Sequence, residues 1–346
     1  MTQFKTAFTI FLSLIVEAFP FLLLGVLLSS ALLFLVDERK LLNLIPKHPL
    51  LGALAGSAIG FLFPVCECGN VPVARRFLLQ GFPPSVAVGF LLAAPTINPV
   101  VIWSTWTAFR DQPELVVFRV IFSLLIATGI AWIFSSQADL RPMLQPGMVR
   151  LMPAADSSGS NFNSDFDEEK DESLSLLQSG TYILGEQGKR VRLDESSWDA
   201  TQLSQDLVKQ PWSYRGRLFM DNTLQELREL GGVLVIGSAI AAIIQVGMPR
   251  DLILAVGTGP VSSIVAMMIL GAVVSICSTV DAFFALSFAS TFTSASLLAF
   301  LVFGPMIDIK SVGLMLSMFK PRPIIYLLVL AAQLTFVLTF LYHMVD

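Results

Sequence analysis

The sequence predicts an all-α polytopic membrane protein built from two repeats of about five membrane segments each, roughly eight to ten passes in all, the second repeat inverted relative to the first. Three observations carry that expectation. Of 346 residues, 54% are hydrophobic and only 14% charged, and the mean hydropathy is +0.73; ordinary soluble chains carry about 25% charged residues. Eight apolar runs, at 7–36, 50–65, 85–109, 115–134, 231–246, 261–276, 294–319 and 324–344, reach or approach the roughly 20 residues that a span needs. The third observation is that one unusual stretch occurs twice.

That stretch is Phe63 to Pro99, FPVCECGNVPVARRFLLQGFPPSVAVGFLLAAPTINP. It is apolar enough for a bilayer, yet it holds two cysteines, a glutamate, an asparagine and helix breakers. Laid over Val274 to Ile309, it pairs Cys66 with Cys277, Ala74 with Ala285, Phe90 with Phe300, Leu91 with Leu301, Pro95 with Pro305 and Ile97 with Ile307. Asn70 then falls on Asp281 and Asn98 on Asp308, and upstream Glu17 and Gly25 fall on Glu229 and Gly237. Proline removes a helix hydrogen bond and glycine weakens a helix, so we expect breaks at CECGNVP, PTINP, CSTVD and GPMID. Unwound backbone at membrane depth survives only against protein or cavity water, so the four breaks should converge near mid-membrane and line a site.

Taken in order, residues 1–136 form the first membrane repeat, 137–217 a polar acidic insertion that is largely disordered, and 218–346 the second membrane repeat. Glu17 lies inside the first run. A carboxylate there is costly in lipid and should face a polar interior, unless it sits at the interface. Residues 37–49 are a short loop with Arg39, Lys40 and Lys47, of the kind kept in the cytoplasm. Arg75 and Arg76 either meet an anion or snorkel to headgroups. Trp103 and Trp106 suit an interfacial belt. The segment DSSGSNFNSDFDEEKDES is too polar to order itself, and YILGEQGKRVRL from Tyr182 suits a small hairpin around Gly188. If Val71 to Gln80 and Ala282 to Ser290 each complete a pass, Arg39, Lys40, Lys47, Arg141, Arg150, Arg215, Arg217, Lys320 and Arg322 share one side and only Lys5, Arg110 and Arg250 lie opposite. The positive-inside bias thus favours the inverted arrangement, with the insertion cytoplasmic.

The chain holds no phosphate-cradling GxxxxGK[ST] loop and only two histidines, His48 and His343, so an ATP-driven pump and a histidine metal site are set aside. No general base accompanies a serine or cysteine nucleophile, so an enzyme is not expected, nor a cofactor. Three cysteines form no disulfide framework. The substrate-binding candidates are therefore Cys66, Glu67, Cys68, Asn70, Asn98, Cys277, Asp281 and Asp308, because thiolates favour soft metals and metalloids. Glu17 and Glu229 are the ion-coupling candidates.

At CECGNVPVARRFLLQG with GFLLAAPTINP, and again at CSTVDAFFALSFAS with LAFLVFGPMIDIK, the chain resembles the predicted-permease family that includes the organoarsenical efflux permeases. The resemblance covers both apolar halves and omits the acidic insertion. It implies a secondary efflux permease in which Cys66 and Cys68 contact a trivalent organoarsenical. Family members often read CSCG, whereas this chain reads CECGN; the added carboxylate and amide leave a metal cation or another solute equally open. The leading expectation is a permease of the inner or plasma membrane, with lipid and a small molecule or ion as its partners and no nucleic acid. Its rivals are a membrane thiol oxidoreductase using Cys66 and Cys68, and a non-transporting membrane scaffold or sensor. Oligomeric state and any bound metal are left open.

Overall fold

In the computed structural model, the described residues are 2–35, 48–63, 66–135, 143–145, 182–184, 190–192, 212–247 and 259–345. The acidic run 165–172, the basic loop 37–47 and Arg141, Arg150 and Arg250 lie outside them. The first half contains α1 (Thr2–Leu35), α2 (Pro49–Leu62), α3 (Glu67–Leu79), α4 (Pro84–Ile97), α5 (Pro99–Ala108) and α6 (Pro113–Ser135). The second contains α7 (Trp212–Gly247), α8 (Pro260–Val274), α9 (Asp281–Leu286), α10 (Ser294–Met306), α11 (Ile309–Met315) and α12 (Pro321–Val345). α7 begins at Trp212, within the stretch assigned to the insertion. Between the halves, Tyr182–Leu184 (β1) and Arg190–Arg192 (β2) pair antiparallel, Ile183 opposite Val191.

Proline starts many of these helices. Pro49, Pro84, Pro99 and Pro260 stand at the first helical position, where the missing N–H has no intrahelical partner to lose. Among the described residues, six helical stretches are long and apolar enough to cross a membrane: Phe4–Ala31, Pro84–Ala108, Pro113–Ser135, Phe219–Gly247, Ser294–Met315 and Pro321–Val345. That is fewer than the eight to ten passes expected from the sequence. The runs at 50–65 and 261–276 stop as helices of 14 and 15 residues; at about 1.5 Å per residue they span roughly 21–23 Å, short of the ~30 Å hydrocarbon core.

The position of the breaks also differs from expectation. α3 runs unbroken through Gly69 and Pro72, α4 through Pro95, and α10 through Pro305. Unwinding falls inside the expected stretches but at one or two residues only: Cys66 ahead of α3, Asn98 between α4 and α5, and Ile307 with Asp308 between α10 and α11. Pro95 is tolerated for a visible reason. The carbonyl its missing N–H would leave open is that of Leu91, and the Asn70 Nδ2 donates to it at 2.6 Å. Only CSTVD is an extended break, from Ser275 to Val280, which begins with Ser275 in the left-handed region at φ 49°.

The packing has a centre and a shell. In the windows that contain α4 and α10, 83% of residues are buried, against 28% for α1 and α12. α4 lies against α2, α3 and α6, α10 against α8, α9 and α12, and α4 touches α10. The halves also meet through α1 with α7, α6 with α12, α3 with α11 and α5 with α9. Outside, apolar side chains such as Val117, Ile121 and Leu125 on α6 and Ile236, Ile240 and Ile243 on α7 are exposed, and their helical spacing makes stripes that lipid covers.

Candidate functional site

The site forms where the start of α3, the CSTVD turn and the start of α11 come together. Cys66 stands at the N-cap of α3, and its carbonyl accepts from the N–H groups of Gly69 and Asn70 at 3.0 Å each. Cys277 makes the same turn in the second half: its carbonyl accepts from Val280 at 2.9 Å and Asp281 at 3.0 Å. Both thiols are thus carried on hydrogen-bonded turns. A close helix crossing sets the first of them in place, for a Cβ on Gly25 of α1 would strike the Gly69 backbone.

Across the junction, one ligand atom each from Cys66, Glu67 and Cys277 lies within 4.8 Å of the others, and all three residues are buried. Cys68, in the first turn of α3, is buried as well. All three cysteines are free. The Thr279 hydroxyl donates to the Cys277 sulfur at 3.5 Å. Glu67 is 2% exposed; its Oε1 is 3.8 Å from the Lys310 ammonium, and its Oε2 has no hydrogen-bond partner among the described residues. Lys310, 2% exposed on α11, also lies within electrostatic range of Asp308, Cys68 and Glu17.

The remaining candidates fall into four groups. Asn98 and Asp308 are helix caps: Asn98 Oδ1 accepts from Val101 N–H at 2.9 Å, and Asp308 Oδ1 from Ser311 N–H at 2.6 Å. The Asp308 Oδ2 is buried without a hydrogen-bond partner among the described residues. Asn70 joins α3 to α4. Asp281 is engaged elsewhere, since Arg119 of α6 donates to both its oxygens, at 2.6 and 3.1 Å, while the same guanidinium donates to Thr105 at 2.7 Å. Glu17 is half-buried on α1, whereas Glu229 is exposed and pairs with Arg75 at 3.0 Å. An apolar groove of about 670 Å³ opens beside the site between α8, α10, α11 and α12, with Asp308 and Gln333 as its polar lining residues.

Two residues escaped the sequence reading, Arg119 and Lys310. Each was visible as a cation inside an apolar run, a placement that is expensive in lipid and calls for a buried partner. The partner itself was not visible, because it lies in the other half of the chain.

Comparison with known proteins identifies the family. A family model described as a predicted permease matches residues 3–344. UPF0718 protein YcgR of Bacillus subtilis (strain 168) is 36% identical over 314 residues, 91% of this chain and 89% of that protein. The protein named "Putative two-component membrane permease complex subunit" of Streptococcus mutans serotype c (strain ATCC 700610 / UA159) is 29% identical over 314 residues, 90% of this chain and 87% of its own length. No solved structure matches the chain. With a family model spanning both halves and a relative matched over nine tenths of the sequence, the chain belongs to the predicted-permease family.

Proposed function

We propose that the protein is a secondary permease that exports a small solute or ion by alternating access between its two halves. The observation that carries the reading is the buried meeting of Cys66 and Glu67 from the first half with Cys277 from the second. A binding group shared across two packed bodies is made and unmade as they rock against each other, which is how repeat-built transporters expose one site to either face. The thiols favour a soft cargo, a thiol-reactive metalloid, an organoarsenical or a metal ion.

Two copies of one unit, the second inverted, account for the helix order. Each half has six helices among the described residues, the longest first and last, and the packing of α2 on α4 and α4 on α6 recurs as α8 on α10 and α10 on α12. The excess of basic residues in the loops of one side supports a cytoplasmic central segment. Ion coupling is assigned to Glu17 and Glu229; Glu17 is supported by its reach to Lys310.

The test is accumulation in inverted membrane vesicles. Vesicles containing the protein should accumulate a thiophilic solute against its gradient when a proton gradient is imposed, and Cys66→Ser or Cys277→Ser should abolish this. Unchanged accumulation in both variants would overturn the assignment of the site. A second reading, that the chain works as one subunit of a two-component permease, is supported by the name of the Streptococcus mutans relative. It predicts that accumulation requires co-expression of a second membrane protein.

A further inference from the structure

We propose that Cys66, Glu67 and Cys277 hold a single borderline-soft divalent cation of the zinc and cadmium type, and that Lys310 is a tethered cation which the ion displaces from Glu67. The inference rests on the transport reading and names its cargo class.

The donor set comes first. Two sulfurs and a carboxylate oxygen lie within 4.8 Å of one another. Around a zinc ion, with bonds of about 2.3 Å to sulfur and about 2.0–2.2 Å to oxygen, tetrahedral ligand atoms stand roughly 3.5–3.8 Å apart. The three donors need to close by only about 1 Å to reach that spacing. Three protein ligands leave a fourth position for water, which suits a cargo that must arrive and leave; closed structural sites use four. A trivalent arsenical would bind through sulfur and give Glu67 no role. A hard cation such as magnesium would reject the thiols. Two sulfurs with one oxygen suit the borderline-soft divalent ions between those classes.

The second observation is independent of the cysteines. Glu67 is 2% exposed, and its Oε2 accepts no hydrogen bond among the described residues. An unmet buried carboxylate oxygen is expensive. Its other oxygen is 3.8 Å from the Lys310 ammonium, well outside the roughly 2.7–2.9 Å of a charge-assisted hydrogen bond. Glu67 is therefore held by a counter-charge without being committed to it. The Thr279 hydroxyl on the Cys277 sulfur supplies the outer partner that orients a ligand.

Lys310 has a second place to go. Asp308 is two residues away and within its electrostatic range, and the Asp308 Oδ2 is also buried without a partner. When the cation takes Glu67, the ammonium swings to Asp308, so neither charge is left unpaired. The two thiols release their protons to water as they become ligands. When the cation leaves, Lys310 returns to Glu67 and helps expel it. One lysine thus gives a strong site a route to release.

The experiment is a cadmium titration of the purified full-length protein in detergent, read by the ultraviolet thiolate-to-cadmium charge-transfer band. One cadmium per chain is expected, with the band lost in Cys66→Ser and in Cys277→Ser. Affinity should fall about 10- to 100-fold in Glu67→Gln. Lys310→Gln should bind cadmium about tenfold more tightly. Lys310→Arg, which keeps the charge and grips a carboxylate with a planar fork, should bind it about tenfold more weakly; it decides the point if the glutamine variant does not fold. A band that survives Cys277→Ser overturns the shared site. Weaker binding in a folded Lys310→Gln, or unchanged binding in Lys310→Arg, overturns the displacement. Vesicle accumulation separates the two levels. If a methylated trivalent arsenical is accumulated and no cadmium band forms, the cargo class fails and the transport reading stands; if the band forms but nothing is accumulated, the transport reading fails and the metal site stands.

Discussion

Among the described residues, Arg119 with Asp281 and Lys310 with Glu67 are two buried ion pairs that join the halves of this protein, and they are built to opposite standards. Arg119 grips Asp281 with two hydrogen bonds, at 2.6 and 3.1 Å, and reaches Thr105 at 2.7 Å. Lys310 stands 3.8 Å from Glu67, beside two thiols and two carboxylate oxygens that have no partner. The arginine's planar fork matches a carboxylate and fixes it; the lysine's single point charge holds its carboxylate loosely. The difference teaches where the molecule is pinned and where it is free to rearrange. The tight pair binds α6 to α9, while the loose one lies where α3 meets α11.

The comparison can be broken at the tight pair first. Arg119→Met leaves a buried Asp281 without its cation, and a buried pair that loses one partner costs about 3–5 kcal/mol. We expect a large drop in the Tm at which the detergent-solubilised protein loses its monodisperse elution. The double variant Arg119→Met with Asp281→Leu should recover much of it, since an apolar replacement of both partners is often neutral.

The support beneath the loose pair is next. Gly25→Ala places a methyl group against the Gly69 backbone and should destabilise by about 1–3 kcal/mol. Because it tilts the first turn of α3 without removing any donor, it should weaken solute accumulation in vesicles more than its modest Tm loss implies.

At the loose pair itself the expectation is reversed. Glu67→Gln should cost about 1 kcal/mol in stability, because Lys310 retains Asp308, yet vesicle accumulation should fall at least about tenfold, as loss of a ligand does. Equal stability losses in Glu67→Gln and Arg119→Met would erase the distinction between the two junctions.

The smallest effects belong to the outer carboxylates. Glu229 is exposed and pairs with Arg75, so Glu229→Gln should shift stability by about 0–1 kcal/mol. Glu17→Gln should be similarly mild in a Tm measurement. Both should abolish the response of export to the proton gradient if they carry the coupling ion, and vesicle uptake with and without that gradient measures it.

How much of this was legible in the sequence depends on whether the signal was local. The membrane class followed from composition, and Cys66, Glu67 and Cys277 were already visible as polar or thiol groups within apolar stretches. The exact breaks were not, because proline was read as ending helices. Pro95 stays within α4 because Asn70 satisfies the carbonyl it leaves open, a contact between side chain and backbone across 21 residues that no local rule contains. The partners of Arg119 and Lys310 were hidden for the same reason: Asp281 and Glu67 become their neighbours only when the halves are folded together. The short helices α2 and α8 were counted as spans because apolar length was visible and the unwinding at Phe63 and Ser275 was not.

The Arg119–Asp281 pair has a consequence for how the protein is made. Its partners are 162 residues apart in the chain, and a chain grows by about 5–20 residues per second, so roughly 8–30 s separate the synthesis of one from the other. During that interval α6 carries an arginine without its aspartate, and a charge within a spanning helix costs up to about 2.5–3.5 kcal/mol, the figure for a helix centre. The first half therefore waits in an unfinished state, held by the insertion machinery or only partly embedded, until α9 delivers the aspartate. A chain truncated before Asp281 would remain in that state, and membrane quality control would meet it as a helix that never settles.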